Sequence, residues 1–231
     1  MTPLVFLPGM MCDARLFAPQ ISTLSGAVPL MTMPLAQRET MAGFASDILS
    51  CAPDKFALAG LSMGGIVAME VLRQAPERVL GIALMDTNPL AELDEVKQRR
   101  GPQMTAAVTG ELNRIMRDEM IPNYLADPES NPDIIELCKD MATGLGPDVF
   151  IRQSKALRDR IDQTETLKKH NGPSLVLCGR EDKLCPISRH QMMHELLPHS
   201  SLEIIENAGH MPTLEQPEET TAILSRWLED L

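Results

Sequence analysis

The chain has 231 residues, 44% of them apolar, with a formal net charge of -11 and an isoelectric point near 4.9. The composition is globular and too apolar for a disordered chain, and its acidity argues against a nucleic-acid partner or an anionic membrane surface, because either needs a basic face. Five cysteines, an odd number without a CxxC pair, form neither a disulfide framework nor a zinc signature, so a reducing cytoplasm is the expected home.

Leu4–Leu7 is an all-apolar run closed by Pro8-Gly9, which suits a parallel strand buried on both faces. Nothing before it resembles the basic and long apolar regions of a signal peptide, and no apolar run reaches transmembrane length. Asp13 is placed to cap a helix towards Leu24, and Ala27–Met33 reads as a second strand ended by Pro34. Thr40 starts the next helix, with Phe44, Ile48 and Leu49 at helical spacing and Pro53 ending it. A third strand, Phe56–Gly60, breaks at a glycine and restarts as a helix after Ser62, running to Gln74, and Val79–Met85 is a fourth strand. Strand and helix alternate throughout, the signature of βαβ units and a parallel sheet.

The rhythm breaks at Asp86-Thr87-Asn88-Pro89. From Leu90 to about Asn171 the chain is charged and helical in patterned pieces around Glu92–Arg100, Thr105–Met120, Pro132–Ala142 and Asp148–Lys169. With no long linker at either end, this stretch is expected to be a helical lobe inserted into the sheet domain, giving a core of residues 1–89 and 172–231 and a lobe of residues 90–171. Strands resume at Ser174–Gly179 and Ser201–Glu206, with a helix over Pro186–Leu197 between them. A terminal helix from about Pro217 puts Ile223, Leu224, Trp227 and Leu228 on its apolar face. The expected fold is therefore α/β, a six-stranded parallel sheet with helices on both faces and an inserted helical cap.

In an open α/β sheet, ligands bind outside the carboxyl ends of the strands. Four of those loops carry chemistry. Gly60-x-Ser62-x-Gly64 has the spacing of a nucleophile elbow, a sharp strand-to-helix turn that lifts a serine hydroxyl above the sheet. Asp182 follows the fifth strand, His210 follows the sixth, and Pro8-Gly9-Met10-Met11 follows the first with free backbone N–H groups. The order Ser, Asp, His is the triad order expected after such an elbow.

On Gly60-Leu61-Ser62-Met63-Gly64-Gly65, Gly179-x-x-Asp182-x-x-x-Pro186 and Ala208-Gly209-His210, the chain resembles the α/β-hydrolases over nearly its whole length, least across the lobe. The resemblance implies Ser62 as nucleophile, His210 as base and Asp182 as acid, with the Met10 and Met63 backbone N–H groups as oxyanion donors and the lobe as a cap. It implies a serine hydrolase that cleaves a small or medium carboxylic ester through an acyl-enzyme, without metal or organic cofactor. Hydrolysis of lactones, thioesters or C–C bonds, a lyase reaction, and a non-catalytic ligand-binding module are the alternatives that such a fold leaves open. Members of this family commonly begin with an antiparallel hairpin, for which there is no room before Leu4, so Ala27–Met33 is expected to be an unpaired edge through which two copies could pair. Many members also carry His-Gly where this chain has Pro8-Gly9, a change that keeps the backbone donor.

Other residues compete for roles. Asp86, at a strand end, is an alternative acid ranked below Asp182. His190 and His194 stand i, i+4 on a helix without an intervening acid or a third ligand, and read as a solvated face rather than a zinc site. Cys12 lacks a neighbouring base and is expected, with Met11 and Met211, to wall the substrate pocket; Met10 and Met63 also flank proposed catalytic groups. Lys97, Arg99 and Arg100 form a basic cluster that could meet a substrate carboxylate, although a solvated helix face is the reading preferred from sequence.

Overall fold

A computed structural model describes all 231 residues. Six strands, β1 (Leu4–Leu7), β2 (Leu30–Thr32), β3 (Phe56–Leu61), β4 (Val79–Met85), β5 (Ser174–Gly179) and β6 (Ser200–Ile205), form one sheet in the order β2-β1-β3-β4-β5-β6, with every pair parallel. All residues of β1, β3 and β5 are buried, as the unbroken apolar runs require of strands covered on both faces. On one side α1 (Ala18–Leu24) packs on α10 (Pro217–Glu229). Elsewhere α2 (Met41–Cys51) packs on α3 (Met63–Gln74), which itself lies along β1, β3 and β4.

Two boundaries near the start of the chain differ from the sequence expectation. The stretch after Asp13 forms a 3-10 turn, Ala14–Phe17, before α1, whose Pro19 sits in its first turn. The second strand is only Leu30–Thr32, because the Ala27 and Val28 amides bond back to the Leu24 carbonyl and so complete the end of α1.

Between β4 and β5 lie α4 (Asp94–Val108), α5 (Leu112–Ile115), α6 (Pro132–Arg158) and α7 (Thr164–Lys168). The last two of the four expected helical pieces meet in α6, which kinks at Gly146 (φ 78°, ψ 176°) just before Pro147. The apolar core is continuous from the sheet into this segment, through Ile115, Met116, Tyr124, Met141 and Phe150. After β5 come α8 (Ile187–Leu196), β6, and a short α9 (Pro212–Glu215). No helix is long and apolar enough to cross a membrane.

Candidate active site

The sheet's chain order reverses between β1 and β3, and registers such as Leu7 with Gly60, Leu61 with Met85 and Met85 with Leu177 align the strand ends on one edge. Beyond that edge stand Met10, Ser62, Asp86, Asp182 and His210, where a parallel sheet opens a crevice.

Ser62 joins β3 to α3 with φ 55° and ψ -117°, a strained conformation for a residue with a side chain. The turn closes only because its neighbours lack side chains. A Cβ on Gly64 would lie 1.9 Å from the Leu7 carbonyl oxygen, and one on Gly60 would lie 2.4 Å from the Gly64 backbone. The Ser62 amide donates to the Met85 carbonyl at 2.8 Å, and the Thr87 hydroxyl donates to the Ser62 carbonyl at 2.7 Å. Strain is thus held by bonds on both sides of the serine.

His210 and Asp182 form a buried pair, with Nδ1 2.9 Å from Asp182 Oδ2. The other oxygen, Oδ1, accepts from the amides of Leu184 (2.8 Å) and Cys185 (3.0 Å). Burial works to raise the Asp182 carboxyl, but His210 and these two amides outweigh it and hold the group below its ordinary value. Asp182 is therefore an anion that fixes Nδ1 as the protonated nitrogen and leaves Nε2 free as an acceptor. His210 Nε2 and Ser62 Oγ are not hydrogen-bonded at rest, but both side chains line the same cavity of about 510 Å³. Such contacts often tighten only when substrate is bound.

Asp86 is also buried, and makes no hydrogen bond to His210. Its Oδ1 accepts from the Gly179 amide at 2.9 Å, while Oδ2 has no partner. Burial first, and then the Asp182 charge, push this carboxyl well above the ordinary carboxylate range, which favours its neutral form. The two acids at adjacent strand ends are thus pushed in opposite directions by their surroundings.

Three holding residues carried no signal in the sequence. Glu215 of α9 accepts from the amides of Gly209 (2.9 Å), Met211 (3.2 Å) and Ala126 (2.7 Å), and the His210 amide donates to the Tyr124 carbonyl at 2.7 Å. The histidine loop is therefore clasped from both sides. Gln153 of α6, fully enclosed, accepts from the Met11 amide at 2.9 Å and donates to the Leu35 carbonyl at 2.7 Å, fixing the loop after β1. That loop leaves the Met10 amide without a protein acceptor, and Met63, opening α3, has no intrahelical acceptor for its own. Both amides are available to a developing oxyanion.

The pocket predicted from sequence changes in part. Met211 lines the cavity, as do Met10 and Met120, but Met11 and Cys12 do not. Cys12 faces a separate small cleft, and burial pushes its thiol well up, so it is not a thiolate. His190 is fully buried rather than solvated. Its Nε2 accepts from the Thr87 amide at 3.1 Å and its Nδ1 lies 3.3 Å from the Pro186 carbonyl, so the ring must be neutral, and burial lowers its pKa to about 4. His194 bonds Ser200 Oγ instead, at 2.7 Å. Arg99 and Arg100 line the cavity; Arg100 is largely enclosed, against the preferred solvated reading, whereas Arg99 remains exposed and Lys97 pairs with Asp94 on the outside.

Asp182, Cys185 and His210 bring one ligand-type atom each within 4.8 Å of one another. They fit a metal poorly: Asp182 and His210 are spent on each other, and burial beside Asp182 and Asp86 raises the Cys185 thiol well above its ordinary value.

The sequence pattern of the alpha/beta hydrolase family matches residues 4–223. Among curated proteins, the chain is 23% identical to a pimeloyl-[acyl-carrier protein] methyl ester esterase of Aliivibrio salmonicida, over 98% of this chain and 92% of that one. It is 29% identical to a putative 2-succinyl-6-hydroxy-2,4-cyclohexadiene-1-carboxylate synthase of Bacillus subtilis, over 77% of this chain and 67% of the other. Among solved structures, a malate-bound thermophilic esterase from Thermogutta terrifontis superposes with a TM-score of 0.90 at 27% identity, covering 99% of this chain and 90% of that one.

Proposed function

We propose, for a chain that belongs to the alpha/beta hydrolase family, that it is a serine hydrolase cleaving a small or medium carboxylic ester with Ser62, His210 and Asp182 as its triad. The observation that carries this reading is a strained serine at the strand-to-helix turn, sharing one cavity with a histidine whose far nitrogen is held by a buried carboxylate. The esterases among its relatives support the same bond type.

A serine hydroxyl attacks a carbonyl poorly at neutral pH. His210 Nε2 takes its proton during attack and returns it to the leaving alcohol, while Asp182 stabilises the imidazolium that forms between those two events. The carbonyl oxygen becomes an oxyanion between the Met10 and Met63 amides, where loss of one donor raises the barrier by roughly 3 kcal/mol. Water, activated by the same histidine, then releases the acid from Ser62. Residues 90–171 act in this scheme as a cap that completes the cavity wall. The five free cysteines support a cytoplasmic setting. Pairing of two copies would use the edge at β2, where only three residues are available, and a monomeric mass by light scattering at micromolar concentration would remove that part of the reading.

The synthase relative favours a second reading, in which Ser62 and His210 abstract a proton without an acyl-enzyme. A fluorophosphonate that labels the protein at Ser62, together with p-nitrophenyl ester turnover, separates the two. Ser62→Ala is expected to abolish labelling and lower ester turnover roughly 10⁴-fold or more. Turnover within several-fold of the parent would remove Ser62 as the nucleophile.

A further inference from the structure

The cavity beside Ser62 is charged in the opposite sense to the protein around it. Its wall carries Arg99, Arg100, Arg160, Lys183 and Arg189, and the one acidic residue among them is Glu92, in a chain whose formal net charge is -11. Exposed cations on a rim would mean little, but two of these are not exposed. The side chains of Arg100, Arg160 and Glu92 are 12%, 8% and 3% accessible.

Glu92 serves both arginines. Its Oε1 accepts from Arg160 Nη1 at 2.5 Å and from Arg100 Nη2 at 2.8 Å, and its Oε2 accepts from Arg100 Nε. Two guanidinium groups therefore share one carboxylate, leaving one positive charge unneutralised inside the cavity wall. An uncompensated buried charge is costly unless something pairs with it. The donors left over face no acceptor in the protein: Arg100 Nη1 meets only the Met10 thioether at 3.9 Å, and Arg160 Nη2 has no partner. Arg99, Lys183 and Arg189, on the same wall, are in no ion pair.

Met10 also sets the distance. Its backbone N–H is the proposed oxyanion donor and its side chain is what Arg100 touches, so the excess charge lies about one side chain from the reacting carbonyl. The rest of the wall is apolar, with Ile66, Val96, Leu157 and Met211. We propose that the Arg100–Glu92–Arg160 cluster is an anion subsite, and that the substrate is an ester whose acyl part carries a carboxylate a few bonds from the scissile carbonyl, that is, a monoester of a short dicarboxylic acid. Fork-shaped guanidinium groups take such a group through paired N–H donors.

This deepens the hydrolase reading and rests on it for the reaction. The test compares monomethyl esters of succinic, glutaric and adipic acid with methyl esters of the monocarboxylic acids of equal chain length, plus one ester bearing a terminal phosphonate. The quantity read is the ratio of kcat/KM for each anionic ester to that of its neutral counterpart, in which any general loss of folded enzyme cancels. The expected ratio is about tenfold or more, expressed in KM and shrinking with added salt. A carboxylate preference over the phosphonate supports the assignment as written, and a phosphonate preference would overturn it in favour of a phosphate-bearing substrate.

Two substitutions should move the ratio in opposite directions. Arg160→Gln leaves a neutral Arg100–Glu92 pair and lowers it towards one, while Glu92→Gln leaves two positive charges and raises it. Shifts in the same direction, or an unchanged ratio, would overturn the subsite. Should no ester be turned over and no phosphonate label Ser62, the hydrolase reading fails, and the subsite is still tested by free glutarate: a rise in melting temperature that Arg160→Gln abolishes upholds it, and no rise overturns it.

Discussion

On its sheet side the cavity is walled by loops that backbone amides hold, and on its helical side by long charged side chains. Asp182, Glu215 and Asp86 each spend oxygens on main-chain N–H groups, and Ser62 is fixed through its own amide and carbonyl. The segment between β4 and β5 instead presents Arg99 and Arg100 from α4 and Glu92 and Arg160 from the loops beside the helices; Glu92 pairs with Arg100 and Arg160, Arg160 also donates to the Leu90 carbonyl at 3.0 Å, and Arg99 is in no ion pair. Amide-held groups have little freedom to move, which suits atoms that must meet a transition state within a fraction of an ångström. Side-chain charges adapt and are easily exchanged, which suits the choice of substrate.

The largest effect that would break this contrast lies with the two acids on the sheet side. Asp182→Asn should remove the group that fixes the His210 tautomer and lower kcat roughly 10⁴-fold, whereas Asp86→Asn, replacing a carboxyl that its surroundings push towards the neutral form and keeping an acceptor for the Gly179 amide, should stay within a few-fold. Equal losses in kcat would mean that the two acids are not divided in the way their charge states suggest.

Next is His190, which is amide-held although it stands on a helix. Its pKa falls from 6.5 to about 4 on folding, so between those values the unfolded chain binds the proton and the folded one does not. Stability from this residue is complete above pH 6.5 and is lost as pH falls towards 4, a change of about 3 kcal/mol. Denaturant titrations at pH 7 and pH 4.5 should show a steeper loss for the parent than for His190→Gln; parallel losses would place the acid sensitivity elsewhere.

Gln153 sharpens the comparison most finely, because it belongs to the helical side and holds the sheet side. Gln153→Ala leaves the Met11 amide and the Leu35 carbonyl without their partner, at about 1–3 kcal/mol of stability. Since Met11 adjoins Met10, whose amide is the proposed oxyanion donor, the variant should lose about tenfold in kcat with KM little changed. A change confined to KM would assign Gln153 to binding instead.

How much of this was legible in the sequence divides along the range of the forces involved. Six parallel strands and the serine turn could be read because apolar runs, prolines and glycines act on their immediate neighbours. The apolar stripe of α10 also named its own buried face, with Ile223, Leu224 and Trp227 enclosed. Both α4 and α8 lack a comparable stripe, so nothing local said which way Arg100 or His190 would point, and the solvated readings of these two residues failed, while Arg99 lines the cavity and stays exposed. The Met11 to Gln153 bond crosses 142 positions, and a glutamine on a helix gives no sign of the amide it will meet.

By itself, then, the sequence determined the strand order of business along one edge: a serine forced upright by glycines that cannot be replaced, with an acid and a histidine following later strands. Only the tertiary structure decided that Asp182 is pushed towards its anion and Asp86 towards its neutral acid, and that two arginines share one glutamate beside the serine. The reason is physical. Backbone sterics are settled within a few residues, while charge states and unpaired donors depend on burial and on neighbours that are brought together only when the sheet and the helices close over one cavity.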